Sequence, residues 1–247
     1  MVTDDEVQII LRGSQGASGL GGPIGNPGAH GLDGHKGEAV KQPGWCGKTV
    51  CTPATNGVDG GSGGEGGPGT QGADGGTPPL FVLHYGSLEG SMVILSRGGA
   101  GGDGGPGGMG GPGGGGGDGG NNAEVCLKGL GKPRCYPTLG GIGGDGGRGG
   151  HGADGGVGGA GGDVTVYWDT NQGNVTVLVP SGKGGRPGKP GDPGKGGTGG
   201  QNEIYPPGTD PTHAPDGRDG GGGNPGEPGD NGPTGKIVIE RFPDSPR

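Results

Sequence analysis

The stretch GGAGGDGGPGGMGGPGG, residues 98–114, decides the fold, because two of every three residues in it are glycine. A second stretch of the same kind, GGIGGDGGRGGHG, spans residues 140–152. A period of three fits neither an α-helix nor a β-strand, but it is the period of the polyproline II helix. A row of glycines on such a helix is bare, so neighbouring backbones can approach closely. Both stretches therefore predict closely packed polyproline II helices.

Glycine recurs at every third position in six tracts, and each tract adjoins a short apolar run. The tracts are Gly13–Gly37, Gly57–Gly75, Gly98–Gly119, Gly140–Gly161, Gly182–Gly200 and Gly217–Gly235. The runs, which predict strands, are Val7–Leu11, Phe81–Tyr85, Met92–Ser96, Val164–Trp168, Val175–Val179 and Lys236–Glu240. The order strand, tract, loop, tract, strand occurs three times, which predicts one elongated domain of three modules, about 1–86, 87–169 and 170–247.

The fold class predicted from this order is a glycine-rich polyproline II bundle. We expect six antiparallel helices in two layers, a small antiparallel β base at one end, and no α-helix. Because only 24% of the residues are hydrophobic, hydrogen bonds between helices must replace much of an apolar core. A collagen triple helix is the alternative, since 80 of 247 residues are glycine and 24 are proline, but the tracts are short and interrupted.

Two motifs carry a resemblance to a known family. GGDVTV (Gly161–Val166) and VLVPSG (Val177–Gly182) are similar to sequences in the amino-terminal domain of Obg-type GTPases. That resemblance implies a small β-barrel from which glycine-rich hairpins project as a docking prong. The chain also resembles, more loosely, the springtail antifreeze proteins and the adhesins of phage tail-fibre tips, which pack glycine-rich polyproline II helices.

The four cysteines lie in the first two loops. Their placement in successive modules predicts two local disulfides, Cys46 with Cys51 and Cys126 with Cys135. A zinc site is the rival, although the spacings C-x4-C and C-x8-C are not those of zinc motifs, and free buried thiols are a third possibility. Disulfides imply an oxidising location, so we expect an extracellular, surface or virion-associated protein, although no signal peptide is visible.

The loops are the candidate recognition sites. They run over residues 38–56, 121–139 and 201–216, and they carry exposed aromatic and basic residues, which suit sugars or acidic surfaces. The candidate binding residues are Trp45, Lys48, Lys132, Arg134, Tyr136 and Tyr205. The alternative is that these residues only cap the bundle.

The sequence does not indicate an enzyme. We predict no catalytic residue, metal or cofactor, and we expect the aspartates of the GGD repeats, Asp103, Asp118 and Asp145, to be solvated charges. The predicted function is a structural or adhesive spike that attaches to a protein partner through its β base and presents its loops to a surface glycan or protein. An ice-binding protein and an Obg-like docking module are the alternatives. A net charge of −8 argues against nucleic acid.

Overall fold

The computed structural model describes residues 9–43, 48–128 and 135–243. Within these ranges the strands are β1 (Ile9–Arg12), β2 (Glu38–Lys41), β3 (Thr49–Thr52), β4 (Phe81–Ser87), β5 (Ser91–Arg97), β6 (Val164–Asn171), β7 (Asn174–Leu178) and β8 (Ile237–Arg241). One helical turn, α1 (Glu124–Leu127), lies in the second loop. The glycine tracts themselves contain neither α-helix nor β-strand.

Six strands form two parallel sheets at the base, in the orders β1-β5-β7 and β4-β6-β8. Side chains from both sheets form one core, whose buried members are Ile94, Val164, Val166 and Val179. The alternation of apolar and polar residues explains which side chains enter this core, since successive side chains of a strand point to opposite faces. The core is small, as the low content of hydrophobic residues requires.

Backbone hydrogen bonds arrange the tracts in two layers. Within a layer the tracts are parallel: Gly16 N donates to Ala100 O at 2.8 Å, and Gly101 N donates to Lys183 O at 2.9 Å. These bonds join the first, third and fifth tracts, and equivalent bonds join the second, fourth and sixth. Bonds between layers join antiparallel tracts, as between Gly102 N and Ala73 O at 2.7 Å. The third and fourth tracts lie in the middle, so each contacts four others.

The close approach leaves no room for side chains in the middle tracts. A Cβ atom added to Gly102 would lie 1.9 Å from the carbonyl oxygen of Ala17 in the first tract. A Cβ atom added to Gly101 would lie 2.0 Å from the oxygen of Gly156 in the fourth tract. Two consecutive glycines therefore recur along both middle tracts, and Ala153 replaces the second glycine of one pair in the fourth tract.

Aspartate and histidine side chains bind many of the N–H groups that this backbone network leaves over. Asp103 Oδ1 accepts from Arg186 N at 2.9 Å, and Asp145 Oδ1 accepts from Arg218 N at 2.7 Å. The same kind of contact recurs at Asp33, Asp59, Asp74, Asp118, Asp154, Asp163, His30 and His151. The GGD aspartates are accessible to solvent, as expected for solvated charges, and their carboxylates in addition connect neighbouring segments.

The first, third and fifth tracts form the first layer, and the fifth tract lies at its border. We call every third residue of this tract from Gly184 to Gly199 its outer row. Three glycines in this row donate to side chains and not to backbone oxygens: Gly184 to Asn231 and Gly196 to Asp219 of the sixth tract, and Gly199 to Asp216 of the third loop. The other members of the row are Pro187, Pro190 and Pro193, which have no backbone N–H to donate.

The structure contradicts the predicted fold class. The base consists of parallel sheets. Each of its strands directly precedes or follows a glycine tract, and neighbouring strands adjoin tracts that run in the same direction. The consecutive strands β6 and β7 do not pair with each other, since they belong to different sheets, and the turn at Gly173 (φ 63°) leads from one sheet to the other. A helical turn, α1, is present, whereas no α-helix was expected. The only antiparallel strand pair in the described part of the chain, β2 with β3, lies in the first loop.

Candidate functional site at the loop end

The three loops are joined by hydrogen bonds around Asn122. Its Oδ1 accepts from Ala54 N of the first loop at 2.9 Å, and its Nδ2 donates to Tyr136 O within the second loop at 3.0 Å. From the third loop, Glu203 accepts from Asn122 N at 2.6 Å and from Asn122 Nδ2 at 2.7 Å. One asparagine thus connects all three loops, which we call the tip.

Glu203 also fixes the end of the second loop. Its Oε2 accepts from Thr138 N at 3.0 Å, and the buried Thr138 hydroxyl donates to Gly120 O at 2.5 Å. Sequence reasoning predicted no structural role for Glu203 or Asn122. No local signal could have found this pair, because their positions are 81 residues apart.

A disulfide joins the first loop to the second. It links Cys51 on β3 with Cys126 in α1, so the two predicted local disulfides were wrong. The local pairing assumed that each loop closes on itself, whereas the bond joins cysteines of two different loops, 75 positions apart. Cys135 is a free, buried cysteine, and Cys46 lies outside the described residues.

The cysteines are at the centre of a small apolar cluster. Cys126, Leu127 and Cys135 are buried, and Ala123 and Tyr205 pack against them. Tyr205, predicted as a binding residue, therefore contributes to the packing of the tip. This arrangement supports the capping interpretation for that side chain.

The other predicted binding residues are placed differently. Tyr136 is 77% exposed, and Lys48 is exposed beside β3. Trp45, Lys132 and Arg134 lie outside the described residues. The structure therefore displays Tyr136 and Lys48 at the surface of the tip, while Tyr205 is partly covered.

One ion pair lies on α1, between Lys128 and Glu124. The hydrogen bond from Lys128, followed by the attraction between the opposite charges, lowers the pKa of the Glu124 carboxyl. The same hydrogen bond and attraction raise the pKa of Lys128. Both groups therefore remain charged near neutral pH, and they give the exposed side of the tip a local dipole.

A second group of polar and aromatic side chains lies on the β4-β6-β8 sheet. His84 Nε2 lies 2.8 Å from Asp169 Oδ1, and the His84 ring stacks on Phe242 with ring centres 4.3 Å apart. Tyr167 meets Phe242 edge to face at 5.6 Å. We call His84, Tyr167, Asp169 and Phe242 the base cluster, which forms an amphipathic surface at the opposite end from the tip.

Comparisons with known proteins show no family for this chain. No family model matches it, and no curated protein matches it. Among solved structures it is similar to a nine polyproline type II helical bundle antifreeze protein from the springtail Granisotoma rainieri, with 24% identity over 89% of this chain and 93% of the other. The TM-score is 0.13, so this likeness carries no conclusion about fold or function.

A search of the described residues for membrane-spanning helices finds none. The only helix in those ranges is the single turn α1.

Proposed function

We propose that the protein is a non-enzymatic spike that holds its tip loops at a fixed distance from an attachment surface on the β base. The observation that carries this proposal is that two separate sets of bonds hold the loops of the tip together. The Cys51–Cys126 disulfide and the contacts of Asn122 with all three loops fix segments that are far apart in sequence. Loops on a rigid scaffold are a common place for recognition, because little conformational entropy is lost on binding.

The exposed Tyr136 side chain is the proposed contact at the tip. Its backbone is held by the Asn122 bond, while its side chain remains 77% exposed. An exposed aromatic ring on a backbone held in this way suits the apolar face of a sugar or a protein side chain. Lys48 supplies a cation on the first loop. We propose a surface glycan or protein as the partner, in an extracellular or virion-associated setting that the disulfide favours.

Attachment is assigned to the base cluster. Phe242 and Tyr167 give it aromatic surface, and the His84–Asp169 contact gives it a hydrogen-bonding edge. Protein interfaces commonly combine aromatic residues with polar groups in this way. We propose a protein partner at this end, which would build the chain into a larger assembly.

A binding screen with matched variants tests these assignments. The intact protein, the Tyr136→Ala variant and the Tyr167→Ala variant are compared on arrays of glycans and surface proteins. We expect Tyr136→Ala to weaken binding of a tip ligand by about tenfold or more, as for an aromatic anchor. Tyr167→Ala should leave that binding unchanged. Loss in Tyr167→Ala with full binding in Tyr136→Ala would contradict the assignment, and so would the absence of any binding partner.

Ice binding is a second candidate, favoured by one charge-free edge of the bundle. Along this edge the first and second tracts meet through Ala73 N to Ala17 O, Thr70 N to Leu20 O and Val58 N to Leu32 O. Between Ser14 and Leu32 the side chains along it are mostly small or apolar, with the amide of Asn26 as the exception, and they include no charged residue. The layer faces, in contrast, carry many aspartate, lysine and arginine side chains.

A thermal-hysteresis assay tests this candidate with two lysine substitutions in one tract. Ala73→Lys places a charge on the edge, whereas Gln71→Lys places it on the layer face, three residues from the contact of Asp74 with Val157 N. Both residues are exposed, so both variants should fold. If the edge binds ice, the intact protein shows thermal hysteresis, the Ala73→Lys variant loses it, and the Gln71→Lys variant retains it. An intact protein without hysteresis rules this candidate out.

A further inference from the structure

Three sulfur atoms converge at the centre of the tip. The Sγ atoms of Cys51, Cys126 and Cys135 all lie within 4.8 Å of one another. Cys126 and Cys135 are buried, and Cys51 is half-buried. The three residues come from β3, α1 and the end of the second loop, so the cluster exists only in the folded tip.

The cluster has two chemical states. In the oxidised state, Cys51 and Cys126 share a disulfide and Cys135 is a thiol. A phosphine or a dithiol supplies two electrons, the S–S bond breaks, and two protons complete the new thiols while the reductant is oxidised. The reduced tip then holds three thiols in one place.

We propose that the reduced protein binds one thiolate-preferring d10 metal ion, such as Zn²⁺, Cd²⁺ or Cu⁺, through these three sulfurs. Thiolates are the ligands that such ions prefer, and each thiol loses its proton when its sulfur binds the ion. Ala123, Leu127 and Tyr205 surround the sulfurs. This apolar surrounding excludes water, which strengthens the attraction between the thiolates and a cation.

The backbone around the cluster does not depend on the disulfide. Pairing of β2 with β3 places Ala39 opposite Cys51, and Cys135 N donates to Cys126 O at 3.2 Å. Asn122 Oδ1 accepts from Ala54 N, which joins the first loop to the second near the cluster. Reduction therefore leaves three separate contacts that keep the sulfurs together.

Cadmium titration of the reduced full chain tests the proposal. The protein is reduced with a phosphine without oxygen, desalted, and titrated with Cd²⁺. The metal content of the folded protein is read by native mass spectrometry, and free thiols are counted by alkylation. We expect one tightly held Cd²⁺ for each reduced chain, none in the oxidised protein, and protection of Cys51, Cys126 and Cys135 from alkylation.

Two variants separate this site from general thiol binding. Cys135→Ser should weaken cadmium binding at least tenfold, whereas Ser62→Cys, which adds an exposed thiol in the second tract, should leave it unchanged. Equal loss in both variants, or no loss in Cys135→Ser, would overturn the three-sulfur site. A reduced protein that binds no cadmium overturns it too, whether its circular dichroism spectrum remains native or not. The spike function would survive such a result, since the oxidised tip binds its ligand without a metal.

Discussion

Replacement of Gly102 by alanine is the sharpest test of how the tracts pack. The new Cβ would lie 1.9 Å from Ala17 O, and real contacts of this kind are essentially never under 3.0 Å. The first and third tracts must therefore separate by at least about 1 Å. Three backbone bonds lie at this point: Gly16 N to Ala100 O, Gly102 N to Ala73 O, and Gly156 N to Gly102 O.

Each of these bonds contributes about 1 kcal/mol net, so loss of all three would lower the free energy of unfolding by about 3 kcal/mol. For a chain of this size that corresponds to a fall in Tm of about 6–12 °C, because each kcal/mol shifts Tm by about 2–4 °C. Thermal unfolding followed by circular dichroism measures the shift. The native and variant proteins should be compared at one concentration, pH and redox state.

Gly222→Ala in the sixth tract is the matched control. No atom lies within 4 Å of a Cβ built on Gly222, so the substitution should be neutral or should stabilise by about 0.4–1 kcal/mol through the unfolded state. Equal Tm values for the two variants would refute the reasoning, because the effect would then follow from loss of glycine and not from close packing.

Three further outcomes are expected. Cys51→Ser removes a disulfide between residues 75 positions apart, so chemical denaturation should show a loss of about 2–4 kcal/mol; an unchanged midpoint would mean that the bridge does not form. Glu203→Ala leaves Asn122 N and Thr138 N without their acceptor, so amide exchange should accelerate at the tip but not in β5; uniform exchange would contradict this role. The hydrogen bonds from Lys195 and Gly196 lower the pKa of the Asp219 carboxyl. The contribution of these bonds to stability is therefore fully present above the usual pKa of an aspartate, and it is lost as the pH falls through the lowered pKa. NMR titration should show that Lys195→Ala raises this pKa; no change would exclude the ion pair.

Several parts of the fold followed from the sequence alone. Apolar runs predicted the six base strands near their observed positions, because alternating β-branched residues are typical of strands with one buried face. The double glycines of the third and fourth tracts predicted close packing of backbones, and a Cβ at Gly101 or Gly102 would indeed collide with backbone oxygen. These inferences rest on local patterns that require no knowledge of distant partners.

The direction of pairing could not be read from the same patterns. A strand such as β5 has the same composition in a parallel or an antiparallel sheet, and the choice depends on which tracts become neighbours in a layer. The disulfide was mispredicted for a similar reason, because spacing suggested local closure while Cys51 and Cys126 meet through the packing of two loops. Asn122 and Glu203 escaped notice because their roles arise only once the loops are brought together.

The outer row of the fifth tract has a consequence for assembly. A seventh segment would need N–H donors at Pro187, Pro190 and Pro193, where proline has none, and would have to displace Asn231, Asp219 and Asp216 from the remaining glycines. The prolines and the side-chain acceptors at this border therefore oppose the side-by-side addition of further chains into open-ended fibrils. The number of tracts in a layer is therefore limited by the residues at its border. A related protein with a wider layer is expected to carry glycine at the positions of these three prolines.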